Sequence, residues 1–238
     1  MPFVHGSKIS VLLNGTDVSA FLNSIDQTIG VENSETTTFG GVAKQFVNGH
    51  IDGTVSASGF WDGAVGAIDP IMAGLLSNST AAALSACDEG AAVAGNRALV
   101  VQAHDTSYQI TSAVGDAVAV SVEMQVDGTG NSGAYRGQVL AALTTYATSV
   151  NTAALDNLAS TANGLVANLH ITSNSVSTTV KIQHSTDNVS WVDLITFTAN
   201  ASTGGEHKTT TGTVNRYLRV NVAAASGTRT LAVTAARK

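Results

Sequence analysis

Charge is scarce in this chain. Only 12% of its 238 residues are Asp, Glu, Lys or Arg, about half the usual share of a globular domain. Aromatics make up 5%, and there are two prolines and one cysteine. One cysteine excludes an intrachain disulfide, so Cys87 is expected as a small buried apolar group in its Ala-rich surroundings. No run of about 18 apolar residues occurs, so no membrane-spanning helix or membrane insertion is expected. The start, MPFVHGSK, lacks a basic segment followed by an apolar one, so no secretory signal is expected. What fills the space is Gly, Ala, Ser and Thr, with 44% hydrophobic residues overall. Few charges and few prolines fit a surface that other subunits cover.

The net charge of −6 conceals a division. Residues 1–128 hold Lys8, Lys44 and Arg97 against thirteen acidic residues, a net of −10. Residues 129–238 hold eight basic residues against Asp156, Asp187, Asp193 and Glu206, a net of +4. The split points to two domains, 1–130 and 141–238, joined by a linker at 131–140. An acidic first domain argues against tight binding of phosphate backbones, which takes clustered Lys and Arg.

Period-two apolar patterns recur and predict an all-β chain with one short helix. Ile9, Val11 and Leu13 alternate before the turn signal Asn14-Gly15. Asp17–Ile25 returns, Ile51–Trp61 forms a half-buried strand, and Ala98–Ala103, Tyr108–Ile110 and Ala117–Val126 follow. In the second half the expected strands are Leu165–Ile171, Val176–His184, Trp191–Thr198, Tyr217–Val222 and Leu231–Thr234. Residues 137–160 read either as a strand or, near Leu155, as a helix. The expected fold is a β-sandwich or half-barrel with a long arm, followed by a second sandwich of the jelly-roll or immunoglobulin kind. The helix is expected just after Asp69 as its cap and Pro70 at its first position. Its apolar stripe of Ile71, Met72, Leu75 and Leu76 most simply packs over one open end or face of a β-sandwich, and the helix is also expected to supply subunit contacts.

Between Ile25 and Ile51 lies a polar excursion of Thr and Gly, about 31–49, too long for an ordinary connection. Ordering it costs about 1–2 kcal/mol per residue, and it has few large apolar groups to offset that cost. It is therefore expected to be an arm ordered by another copy, through Glu35, Thr36, Thr37, Thr38, Phe39, Lys44 and Phe46.

Chemical motifs are weak. Gly128–Gly133, GTGNSG, has dinucleotide-loop spacing but all-β flanks, so it reads as a linker. The histidines lack metal-site spacing, and His184 with Ser185 and Asp187 reads as a turn. No catalytic residue, metal or cofactor is expected, and no enzyme. Trp191 and Tyr217 could stack on a sugar, with core packing the plainer role.

Four pieces in order resemble the major tail proteins (tail tube proteins) of long non-contractile-tailed bacteriophages. They are FVHGSKISVLLNGTDVSAFLNSID, the arm ETTTFGGVAKQFVNG at Glu35–Gly49, DGTVSASGFWDG at Asp52–Gly63, and AIDPIMAGLL at Ala67–Leu76. The second half, with VKIQHSTDNVSWVDL and NRYLRV, is similar to β-sandwich modules appended to phage tail proteins. The resemblance implies a virion protein, made in the bacterial cytoplasm, whose hexameric rings stack into a tube. Its partners would be its own copies and the tape measure, tail terminator and distal tail proteins. Genomic DNA would cross the lumen without specific binding, and the second domain would lie outside, where it could touch a host surface glycan. The rival expectations are a carbohydrate-binding module or adhesin and a capsid decoration protein.

Overall fold

The computed structural model describes residues 6–198, 200–224 and 227–238; the MPFVH start lies outside them. The chain is mainly β, with one α-helix and two sheets. Its first half contains β1 (Ser10–Leu13), β2 (Thr16–Asp17), β3 (Leu22–Glu35), β4 (Phe46–Phe60), α1 (Ile68–Leu76), β5 (Ala82–Cys87), β6 (Arg97–Thr111) and β7 (Ala119–Val126). Its second half contains β8 (Tyr135–Tyr146), β9 (Val150–Asn151), β10 (Leu155–Asp156), β11 (Leu165–Asn174), β12 (Thr178–Ser185), β13 (Val192–Thr196), β14 (Gly204–Thr210), β15 (Tyr217–Ala224) and β16 (Arg229–Arg237).

One large sheet runs β14-β11-β16-β8-β6-β5-β1-β2, with β7, β4 and β3 branching from β6. The smaller sheet carries β15 and β12 at its centre. Alternation along the strands divides the apolar side chains. Val11, Leu84, Leu99, Val101, Val122 and Met124 form one core, capped by Ile68, Met72 and Leu75 of α1. Leu140, Leu169, Ile182, Phe197, Val220 and Val233 form the other.

Several expectations change. Residues 137–160 hold strands and no helix. Within 131–140 the chain is already strand from Tyr135, because β8 hydrogen-bonds to both β6 and β16. The arm is no loop: its flanks extend β3 and β4, leaving only 36–45 between them. Ala67, not Asp69, is the N-cap of α1, and no side chain caps it. Asp69 instead accepts a hydrogen bond from the Tyr108 hydroxyl at 2.9 Å.

The Asn14-Gly15 turn has positive φ at both residues (45° and 84°), as a tight two-residue hairpin requires. A Cβ on Gly15 would fall 2.3 Å from the Gly204 carbonyl carbon. The turn thus abuts the start of β14, and the large sheet curls back on itself.

A polar network fills the seam this creates. Asn168 of β11 donates to the carbonyls of Leu84 (2.8 Å) and Val101 (2.9 Å) and to Ser85 Oγ (3.1 Å). The Gly15 amide donates to His170 Nδ1, which places the proton of that ring on Nε2, donating to Ser85 Oγ at 2.9 Å. Ser85 therefore donates onward to Thr234 Oγ1 at 2.7 Å. His207 Nδ1 donates to Asn168 Oδ1 at 2.7 Å. The neighbours fix the donor directions; the two Asn168 amide hydrogens are shared among three acceptors, and His207 Nε2 is buried with no partner among the described residues. Burial pushes His170 down to about 3 and His207 to about 4, since charge is costly there.

Candidate assembly arm and sheet edges

The most unusual surface is the hairpin of β3 and β4. β7 covers β4 only from Thr54 to Phe60, whereas β3 and β4 stay paired out to Glu35 opposite Phe46. Seven residue steps at about 3.3 Å carry the ribbon about 23 Å beyond the body. Every residue from Thr28 to Asp52 is exposed.

The ribbon continues the pattern of the body. Val55 points into the core, so Ile51 and its partner Val31, with Ile29, lie on the outward extension of that core-facing row. An extra residue in β4 between Asn48 and Ile51 shifts the register. Such a bulge flips the alternation, returning Phe46 to the apolar row. Phe39 and Val42 at the tip are fully exposed. The loop is closed at its base by Lys44 on Glu35 (3.1 Å) and by the Gln45 amide on Thr37 Oγ1 (3.0 Å). Thr36 donates its amide to the Gln45 carbonyl, and Gly41 donates to Thr38. An isolated two-stranded ribbon is marginal in water at best, and here both faces are solvated.

Root contacts aim the ribbon. Gln27 donates to Asp88 Oδ1 at 2.7 Å and accepts from Arg136 Nη1 at 2.7 Å, while Arg136 also pairs with Asp88. This closed ring ties β3 to β5 and to β8.

The β3-β4-β7-β6 part of the large sheet, which carries the arm, has two unpaired edges among the described residues. Among the described residues β3 pairs only with β4. β6 pairs with β5 up to Ala103, and beyond it that side of β6 is free from His104 to Thr111. The solvent face between these edges forms a shallow cleft of about 300 Å³ lined by Ser24, Asp26, Ser56, Ser58, Gln109 and Glu123. Its lining contains two carboxylates and no Lys or Arg.

On the opposite, core-facing side, Asp105 lies in the row of Val55 and Met124. Both its carboxylate oxygens are buried without a hydrogen-bond partner, and burial pushes it up to about 6. No sequence signal distinguished it beyond its neighbour His104, which faces Asp127 at 3.7 Å.

The helix assignment needs correction. Met72 and Leu75 are buried in this chain's own core and Ile71 packs against it, because the stripe faces β6. Only Leu76, 46% exposed, is open to another subunit. Trp191 and Tyr217 lie in neither apolar core. Both are half-buried, under Arg219 at 4.1 Å and Arg216 at 4.9 Å. Cys87 is fully buried, and its thiol is pushed up to about 12 by burial. Among the described residues no three His, Cys, Asp or Glu side chains gather for a metal, and no helix is long and apolar enough to cross a membrane.

No protein-family model matches the chain, and no curated protein matches it. Solved structures share parts of its shape. The chain is similar to a protein in the virion of a native gene transfer agent particle, at 11% identity and a TM-score of 0.45, over 56% of this chain and 98% of that one. It is similar to the SPP1 tail tube protein at 13% identity and 0.43, over 52% and 76%. It is also similar to the SPP1 Dit protein at 11% identity and 0.38, over 96% and 98%. Likeness at this level does not set function.

Proposed function

We propose that this chain is a structural tail tube protein of a long-tailed bacteriophage, assembling into rings that stack into a tube. One observation carries the reading: a long, fully solvated hairpin bearing apolar side chains that none of the described residues covers. A second copy is the natural cover. The two free edges supply the second contact. Pairing the β3 edge of one copy with the β6 edge of the next is a head-to-tail contact, and such contacts close into rings when the rotation allows. Six copies follow from the sequence resemblance. The ring would join the four strands of each copy into one continuous barrel.

The polar face between the edges would then look inward. Its Ser and Thr hydroxyls, with Asp26 and Glu123 and no cation in the cleft, offer a polyanion nothing to adhere to. That suits DNA passing through during ejection. The second half, with its positive balance, would decorate the exterior.

The test is negative-stain microscopy of the purified chain beside a variant in which an Asn-Gly turn joins Val31 to Ile51. Wild-type tubes and a folded variant that forms none support the reading. Normal tubes from the variant overturn the role of the arm.

A further inference from the structure

We infer that the cleft lined by β6, β8, β16 and the 156–161 segment is a binding site for a carboxylate- or phosphate-bearing group. The cleft holds about 420 Å³ and is floored by Gly137, Gln138 and Ala235. Arg97, Arg136 and Arg237 line it from β6, β8 and β16. Strand register explains why they converge: Leu99 pairs with Arg136, Arg97 with Gln138, and Gln138 with Ala235, two residues before Arg237. The three arginines thus lie on one face of adjacent strands and line the same cleft. Asp156 lines the cleft as well, so three guanidiniums face one carboxylate, and an excess of one sign between low-dielectric walls concentrates the opposite ion.

The charges are unevenly matched. Asp88 neutralises Arg136, and Asp156 is held by Arg216 through two bonds of 2.6 and 2.5 Å. Arg237 has no carboxylate. Its guanidinium donates to the carbonyls of Ala159, Asn215 and Arg216, and its Nε is buried with no acceptor. Carbonyl dipoles orient a cation without cancelling its charge. Arg97 is exposed. Glu89 accepts from the Arg97 backbone amide at 2.9 Å, not from its side chain. Two guanidinium charges therefore face the cleft without counter-ions among the described residues. Arg also suits planar, two-point recognition of carboxylate and phosphate. At the rim Leu158 holds φ at 66° and is largely exposed, so the cleft wall is a local turn rather than a packed strand.

The group could come from an acidic segment of a second copy or from a free polyvalent anion. The inference does not depend on tube formation. It is tested on the full chain by isothermal titration with inorganic phosphate and with citrate at fixed ionic strength, and by mass photometry. Binding of either anion by wild type, weakened at least tenfold in Arg97→Gln, supports a site for a free anion. Self-association that citrate competes away, and that Arg97→Glu abolishes, supports occupation by a second copy. Arg97 is exposed, so neither variant is expected to unfold, and circular dichroism checks this. No anion binding together with unchanged association of Arg97→Glu overturns the proposal.

Discussion

Replacing Asn168 by Leu puts the seam to a quantitative test. Asn168 is wholly buried, and its amide serves two backbone carbonyls, one hydroxyl and one histidine. Leu has the same branched skeleton and is bulkier, so no cavity opens and any crowding adds to the loss. What remains is the desolvation of groups left without partners. Each costs about 1–3 kcal/mol. The carbonyls keep a second lone pair for sheet bonding and Ser85 keeps Thr234, so the low end applies. Two carbonyls and the His207 N–H then give about 3 kcal/mol. That is a large fraction of a typical folding stability of about 5–15 kcal/mol. Urea unfolding followed by far-ultraviolet circular dichroism measures it, with the slope compared to separate loss of one half from loss of the whole. A loss below about 1 kcal/mol would refute the claim that the network holds the seam.

Four further outcomes follow from the same coordinates. His170 and His207 have depressed pKa values, so their contribution is complete above the ordinary value near 6.5 and erodes as pH falls toward 4 and then 3; the urea midpoint should drop over that window, and a flat profile from pH 7 to 4 would count against it. Asp105 is raised to about 6, so its penalty sets in as pH rises from about 4 to 6; Asp105→Asn should raise the melting temperature at pH 8 and change little at pH 4. Phe197→Ala should cost about 3–5 kcal/mol, read by denaturant unfolding, since Phe197 is buried in the second core. Lysines at Ser24 and Gln109 together should block edge pairing, leaving folded monomers by mass photometry and no rings by microscopy.

The arm was legible as a place and not as a shape. Its length and its Thr and Gly content marked it, but both faces are wet, so alternation was too faint to extend β3 to Glu35 or β4 back to Phe46. β5 failed for the opposite reason. Both faces of Ala82–Cys87 are buried, which removes the polar half of the pattern, and small residues weaken the rest. The stripe of α1 was read correctly as apolar, yet a helical stripe does not say whether its partner is the same chain or another. In β11, Asn168 and His170 two residues apart on the face opposite Leu169 were the available sign of the seam. β16 sets Thr234 opposite Asn168 by ordinary pairing, and only the curl of the large sheet brings Ser85 to them from 83 residues away in sequence.

The buried thiol has a practical consequence. Cys87 is wholly enclosed and its pKa lies near 12, so at neutral pH almost none of it is thiolate, the form that attacks electrophiles. A cysteine installed at Ala43 on the arm tip would be the single reactive sulfur in each subunit. A fluorophore attached there would report only whether the tip is in water or against another copy, which turns growth of the assembly into an optical signal with no background from the body.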